Sequence, residues 1–146
     1  TWKEMQYMSK DVFLEMLGFI RHQAEFIIET TSEVKDVDEL LVTTTGMVLY
    51  NSTCMCLQTI GETVKKIDDL TDKGFFSVYY SQIPWRAIIG MRNIISHEYS
   101  ATDPEKVFNT VKVNIPELLP VIETIINDVE SGRYDAFLES LKKGSR

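Results

Sequence analysis

The residues whose side chains could carry out a reaction lie together in one short segment, which holds Arg92, Asn93, His97 and Tyr99. An arginine guanidinium is a permanently charged, planar set of donors that matches phosphate oxygens. A histidine imidazole takes or gives a proton near neutral pH, as the activation of a ribose hydroxyl requires. The combination indicates chemistry on a phosphodiester, in which Arg92 holds the phosphate and His97 acts as the base.

Two neighbouring residues could support this chemistry. The amide of Asn93 could hydrogen-bond the phosphate or fix the tautomer of the imidazole. The carboxylate of Glu98 would favour the protonated form of His97. Cys, His and carboxylate residues do not occur there at the spacing of metal ligands, so we expect catalysis without a metal and without a cofactor.

The helix that carries the segment raises a geometric question. Pro84 suits the first turn of a helix, which we expect to continue through the segment and to end in it. Five helical positions turn Arg92 and His97 about 140° away from each other. A site that uses both residues therefore needs a helix end or a cleft shared between two chains. A two-fold homodimer would bring two copies of each residue to one interface.

Hydrophobic periodicity predicts the other helices. Asp36 and Glu39 resemble a capping pair that opens a second helix, which should stop near Gly74, with a kink or short break at residues 43–46. The apolar stripe of the first helix comprises Phe13, Leu17, Ile20, Ala24 and Ile27. That of the second comprises Tyr50, Cys54, Leu57, Gly61 and Val64.

The C-terminal third predicts further helices. Asp103 and Pro104 should cap and start a fourth, and a stripe of Ile115, Leu118, Ile122, Ile125 and Val129 defines a fifth. Because Pro120 lacks an N–H, the fifth helix either begins near Leu119 or bends. Gly132 should end it, before a short helix or tail. We predict a single all-α domain over residues 1–146, an antiparallel bundle of four to five helices.

The order Arg92, four residues, His97, one residue, Tyr99 resembles the signature of the HEPN superfamily, and within it the HepT-like toxins of HepT/MntA toxin-antitoxin pairs. Further matching segments are Ile60-Gly61-Glu62, Ile83-Pro84-Trp85-Arg86, Pro104 and Leu118-Leu119. The resemblance covers about residues 10–130, and the extended pattern is much more specific than Arg-x4-His alone.

The resemblance implies metal-independent RNA cleavage at a dimer interface, with Arg92 and His97 as catalytic residues. Attack by the 2'-hydroxyl would give a 2',3'-cyclic phosphate and a free 5'-hydroxyl. In HepT-like toxins the tyrosine of the motif receives AMP from the partner nucleotidyltransferase MntA, so Tyr99 is expected to be an off-switch. Glu62 either faces the site or only solvates its helix.

The net charge of −7 is the main argument against an RNA-cutting enzyme, because nucleic-acid affinity comes chiefly from basic side chains. A cleft formed by a dimer could concentrate Arg86, Arg92 and also Lys73 locally, which would answer this argument. Two alternatives stay open. One is a non-catalytic HEPN-like binding partner of a minimal nucleotidyltransferase, and the other is a purely structural helical dimer.

Composition and cysteine content complete the expectations. Cys54 and Cys56 are two positions apart on a helix, face nearly opposite ways and should not bridge. Apolar runs are far shorter than the roughly 20 residues of a membrane span, which predicts a cytoplasmic protein. The sequence begins at Thr1 rather than Met, so the position of the natural start stays open.

Overall fold

The computed structural model describes residues 8–97 and 102–144, and every regular element in those ranges is helical. The α-helices are α1 (Lys10–Thr30), α2 (Thr44–Leu70), α3 (Phe75–Tyr79), α4 (Trp85–His97), α5 (Pro104–Asn109), α6 (Ile115–Glu130) and α7 (Asp135–Gly144). A short 3-10 helix (Val37–Leu40) precedes α2, and a π-helical segment (Thr110–Asn114) joins α5 to α6. The predicted all-α fold is confirmed for the described residues.

The core forms where α1 packs against α2 and α6, and where α2 packs against α4. The predicted stripe of α1 is entirely buried, as is that of α6, and Cys54, Leu57, Gly61 and Val64 of α2 are buried as well. Burying one large aliphatic side chain contributes about 1.5–3 kcal/mol to the free energy of folding. These stripes therefore supply most of the hydrophobic stabilisation of the bundle.

The start of α2 differs from the prediction. Oδ1 of Asp36 accepts a hydrogen bond from the backbone N–H of Glu39 at 3.3 Å, but this pair caps only the 3-10 helix. The α-helix begins at Thr44, where Oγ1 of Thr43 accepts from the N–H of Gly46 at 2.9 Å. An interruption is present as predicted, but it lies at residues 41–43 rather than 43–46, because residues 44–46 form the first turn of α2. The helix start at Asp36 is wrong. Threonine is a poor helix former, and its hydroxyl competes for backbone donors.

The segment after α2 also departs from the prediction. The helix ends at Leu70, four residues before Gly74. Asp72 (φ 67°), Lys73 (φ 48°) and Gly74 (φ 140°) then form a left-handed turn. It leads into α3, a short helix that the sequence pattern does not predict, because its five residues span little more than one turn.

The predicted fourth and fifth helices are one continuous helix. It starts at Pro104 as predicted, and Oδ1 of Asp103 caps it by accepting from the N–H of Glu105 at 3.0 Å. Pro120 lies inside α6, so a helix start near Leu119 is wrong. The π-helical segment Thr110–Asn114 lies just before Pro116. Because Pro116 has no N–H, the ordinary i to i−4 backbone hydrogen bond cannot form there.

The end of the described chain agrees with the prediction. Gly132 has a φ of 90° and follows the end of α6, and α7 supplies the predicted short helix. Cys54 and Cys56 are free and buried, and burial raises the pKa of both thiols, although a hydrogen bond with Tyr50 partly offsets this at Cys54.

None of the helices within the described ranges has both the length and the apolar character needed to cross a membrane.

Candidate functional site

The site is built on a close approach between α2 and α4 at Gly61. A Cβ atom at position 61 would lie 2.5 Å from Cβ of Arg92 and 2.9 Å from the carbonyl oxygen of Ile88. Real Cβ atoms essentially never come within 3.0 Å of such neighbours. Gly61 therefore sets the depth at which α4 docks on α2, and with it the position of Arg92.

The guanidinium of Arg92 uses few of its hydrogen-bond donors. Its Nη1 donates to Oδ1 of Asn93 at 2.6 Å, whereas its Nε is buried and has no hydrogen-bond partner among the described residues. Among the described residues no carboxylate pairs with it. An unsatisfied buried donor destabilises the folded state by about 1–3 kcal/mol. The folded protein therefore contains a charged side chain whose hydrogen-bond donors are only partly used.

Helix α4 is described as far as His97, and residues 98–101 lie outside the described part of the structure, so the predicted helix end in this segment stays a prediction. A helix end is where residues 92 and 97 can serve one site despite their helical separation of about 140°. The side chain of His97 lies outside the described part of the structure, as do Glu98 and Tyr99. The roles predicted for these three residues stay predictions.

Glu62 follows Gly61 but is exposed on the outer side of α2. Its Oε1 accepts a long hydrogen bond of 3.4 Å from Nε2 of Gln58. Across the described residues no hydrogen bond or ion pair joins Glu62 to Arg92. A supporting role for Glu62 stays a prediction.

The two residues at the start of α4 have different environments, since Trp85 is buried and Arg86 is exposed. The Trp85 side chain is 4% exposed, stacks on Phe76 with ring centroids 4.2 Å apart, and donates from Nε1 to the carbonyl of Tyr80 at 2.7 Å. Trp85 is therefore a core residue. Arg86 is exposed and shares a cleft with Lys73, while Arg92 lies six residues further along the helix.

A buried polar network holds the segment that leads into α4. The hydroxyl of Tyr80 donates to Oδ2 of Asp128 at 2.7 Å and lies 2.7 Å from the hydroxyl of Tyr134. Burial, reinforced by Asp128 and Tyr134, raises the pKa of Tyr80 far above its ordinary value. Sequence reasoning missed this network, because its members are 48 and 54 residues apart and belong to no motif.

Within the residues that the structure describes, no group of three or more His, Cys, Asp or Glu side chains could hold a metal ion. That search does not reach Glu98 or the side chain of His97.

Several known proteins are similar in sequence to this chain. The provisionally named RNase MJ1216 of Methanocaldococcus jannaschii is 41% identical over 76 residues, which are 51% of this chain and 58% of that protein. RNase MJ1380 of the same organism, also provisionally named, is 29% identical over 119 residues, 81% of this chain and 100% of that protein. The similarly named RNase TTE0752 of Caldanaerobacter subterraneus subsp. tengcongensis is 29% identical over 110 residues, 75% of this chain and 90% of that protein.

In the two relatives with 41% identity, the match spans only 58% and 60% of the relative's own length. No solved structure shows significant similarity to the chain. Residues 20–125, which include Gly61, Arg92 and His97, match the family model described as ribonuclease HepT-like. The chain therefore belongs to the HepT-like ribonuclease family of the HEPN superfamily.

Proposed function

We propose that this protein is a metal-independent endoribonuclease whose site contains Arg92 and His97. The observation that carries the proposal is the docking of α4 on Gly61, which places a guanidinium with an Nε unpaired among the described residues less than two turns before His97 on the same helix. Family membership and the RNase names of the relatives support the reaction class.

The proposed reaction is an internal displacement at phosphorus. His97 takes the proton from the ribose 2'-hydroxyl as its oxygen attacks the adjacent phosphorus. Arg92, aided by the Asn93 amide, stabilises the charge that builds up on the non-bridging oxygens, an effect worth about 10²–10³ in rate at comparable sites. The bond from phosphorus to the 5'-oxygen breaks, and this oxygen receives a proton. The products are a 2',3'-cyclic phosphate and a 5'-hydroxyl.

The acid that protonates the leaving oxygen would come from a second copy of the chain in a homodimer. The outer side of α2 supports such an interface, because Val48 is 64% exposed and Met55 is 69% exposed. Met55 and Glu62 are seven residues apart and share one side of α2, about 100° around the helix from Gly61. A second copy packed on this side would bring two copies of Arg92 near one interface.

Regulation through Tyr99 completes the proposal. A partner nucleotidyltransferase, acting as antitoxin to this toxin, would transfer AMP to the Tyr99 hydroxyl, two residues after His97. The added nucleotide would bring bulk and negative charge close to Arg92. It would compete with the substrate phosphate for the guanidinium and so switch cleavage off.

Incubation with labelled RNA in EDTA tests the proposal, with product ends identified by mass spectrometry. We expect wild type to release 2',3'-cyclic phosphate ends and His97→Ala to release none. His22→Ala is the matched control, since His22 is the other histidine and is exposed on α1, and it should cleave like wild type. Cleavage by His97→Ala would contradict the assigned base.

The net charge of −7 favours a second candidate, a non-catalytic HEPN-like partner of a nucleotidyltransferase. This candidate predicts that wild-type protein, folded and unmodified at Tyr99, cleaves neither tRNA nor mRNA yet still binds the nucleotidyltransferase. The same assay therefore separates the two functions.

A further inference from the structure

A cleft of about 410 Å³ lies between the end of α2, the start of α3 and the first turns of α4. Its exposed lining includes Lys73, Arg86 and the hydroxyl-bearing Ser77, while the buried Val64 and the half-buried Ile89 supply apolar lining. The cleft therefore combines two cations, the carboxylate of Asp68 and a neutral hydrogen-bonding group around one open volume.

Neither cation is neutralised by a carboxylate among the described residues, although the chain carries an excess of acidic side chains. Other basic residues in the described ranges do form ion pairs, namely Lys10 with Asp135, Arg21 with Glu25, Lys65 with Asp69 and Arg133 with Asp128. The cleft lining also includes the carboxylate of Asp68, and against this one anion the two cations leave a local excess of positive charge that attracts a further anion.

Asp68, the carboxylate among the described residues of the cleft lining, stabilises the turn that contains Lys73. Its Oδ1 accepts from the N–H of Gly74 at 3.0 Å, and its carbonyl oxygen accepts from the N–H of Lys73 at 2.7 Å. These bonds hold Lys73 in a left-handed conformation, with φ at 48°, that non-glycine residues adopt infrequently. The turn thus fixes the backbone of Lys73 at the edge of the cleft.

The position of Arg86 on α4 connects the cleft to the candidate site. Asn93 is seven residues further on, which returns to within about 20° of the same side of the helix. Position 97 is eleven residues further on, again within about 20°, and about 16 Å along the axis. One side of α4 therefore runs from the cleft to Asn93 and to position 97, whereas Arg92, six residues after Arg86, lies about 120° around the helix. A short single-stranded RNA segment can span the distance along this side.

We propose that Lys73 and Arg86 bind a backbone phosphate of the RNA substrate, a few nucleotides away from the phosphate that is cleaved. This subsite rests on the proposed function, since it names how the same substrate is held. It explains how a protein of net charge −7 holds RNA. The favourable charge is concentrated at the cleft, where Lys73 and Arg86 lie, and the rest of the surface does not need to be basic.

The test measures binding rather than cleavage. A fluorescein-labelled single-stranded oligoribonucleotide of mixed sequence is titrated with full-length His97→Ala protein at several salt concentrations, and anisotropy gives the affinity. Adding Lys73→Asn and Arg86→Gln removes both charges, and asparagine tolerates the left-handed turn. We expect binding to be about tenfold weaker. The slope of the logarithm of affinity against the logarithm of salt concentration should be smaller in magnitude by about 0.7, the value for one phosphate contact on a single strand.

Two matched variants in the same His97→Ala background control the result. Arg21→Gln with Lys35→Asn removes the same charge from exposed positions that do not line the cleft, and it should keep the original slope. Lys73→Arg with Arg86→Lys keeps the charge in the cleft and should restore most of the affinity. Far-UV circular dichroism checks that each variant is folded.

The subsite is overturned if the folded double variant keeps the original affinity and slope, if the control pair loses as much, or if the parent protein does not bind the oligoribonucleotide. Failure of the proposed function gives a different pattern. In that case wild type does not cleave RNA, yet the double variant still loses affinity and slope relative to its parent.

Discussion

The two ends of α4 differ in how completely their polar groups are satisfied. At the N-terminal end, Trp85 is buried, and its Nε1 donates to the carbonyl of Tyr80 at 2.7 Å. At the C-terminal end, Arg92 keeps a buried Nε without a partner, and Gly61 allows the helix to sit closer than any side chain would. Satisfied buried groups stabilise a fold, whereas unsatisfied ones mark positions retained for another reason. The first end anchors the helix, and the second is available for chemistry.

The largest effect on stability should come from the anchored end. Trp85→Ala removes a ring that stacks on Phe76 and leaves the Tyr80 carbonyl without its donor, so we expect a loss of about 3–5 kcal/mol in the free energy of unfolding. Urea denaturation measures it. Arg86→Ala, at the exposed neighbouring position, should stay within about 0.5 kcal/mol of wild type. A similar loss in both variants would remove the distinction between anchor and surface.

A smaller loss should follow from the polar network that supports the same end. Tyr80→Phe removes the hydroxyl that donates to the Asp128 carboxylate, and hydrogen bonds to charged groups contribute about 1.5–3 kcal/mol. Equilibrium unfolding in urea at neutral pH measures the difference. A Tyr80→Phe protein as stable as wild type would show that the network adds nothing to the anchor.

The pH dependence of stability gives a second readout for Tyr80. Its pKa is raised in the folded protein by burial and by its neighbours, so the folded state disfavours the phenolate. The stabilisation is complete below the ordinary tyrosine pKa of about 10 and is lost as the pH rises above it. Wild type should therefore lose stability more steeply than Tyr80→Phe between about pH 10 and pH 11. Parallel curves would contradict the raised pKa.

Substitution of Gly61 tests the C-terminal part of α4, where Arg92 lies. Gly61→Ala places a Cβ against Arg92 and the Ile88 carbonyl, and we expect it to cost about 1–3 kcal/mol and to reduce cleavage by displacing Arg92. Gly18→Ala on α1 is the matched control, because no other group lies within 4 Å of its Cβ. It should stabilise the helix by about 0.5–1 kcal/mol. A neutral Gly61→Ala with full activity would show that the close approach is not required.

The hydrophobic stripes of α1 and α6 could be predicted from the sequence, because burial repeats with the helical period and depends on local spacing. The second helix shows the limit of that reasoning. The capping pair at Asp36 forms, but the 3-10 helix that it caps ends at Leu40 and α2 starts only at Thr44. Pro120 shows the opposite case, since the packing of α6 carries the helix through a residue that local rules treat as a breaker.

Part of the candidate site was predictable for the same reason. The spacing of Arg92, Asn93 and His97 along one helix follows from residues that are close in sequence. The docking of Arg92 against Gly61 with its Nε unpaired, and the network around Tyr80, depend on contacts between distant segments. No local pattern specifies which carbonyl or hydroxyl such groups will meet.

The most direct test of the central claim compares wild type with Arg92→Met in two assays, cleavage of labelled RNA in EDTA and unfolding in urea. Methionine keeps an aliphatic stem against Gly61 but removes the charge and the unpaired donor. We predict that cleavage falls by about 10²–10³ while the free energy of unfolding is unchanged or higher. Retained cleavage, or a loss of stability like that of Trp85→Ala, would show that Arg92 serves the fold rather than the chemistry.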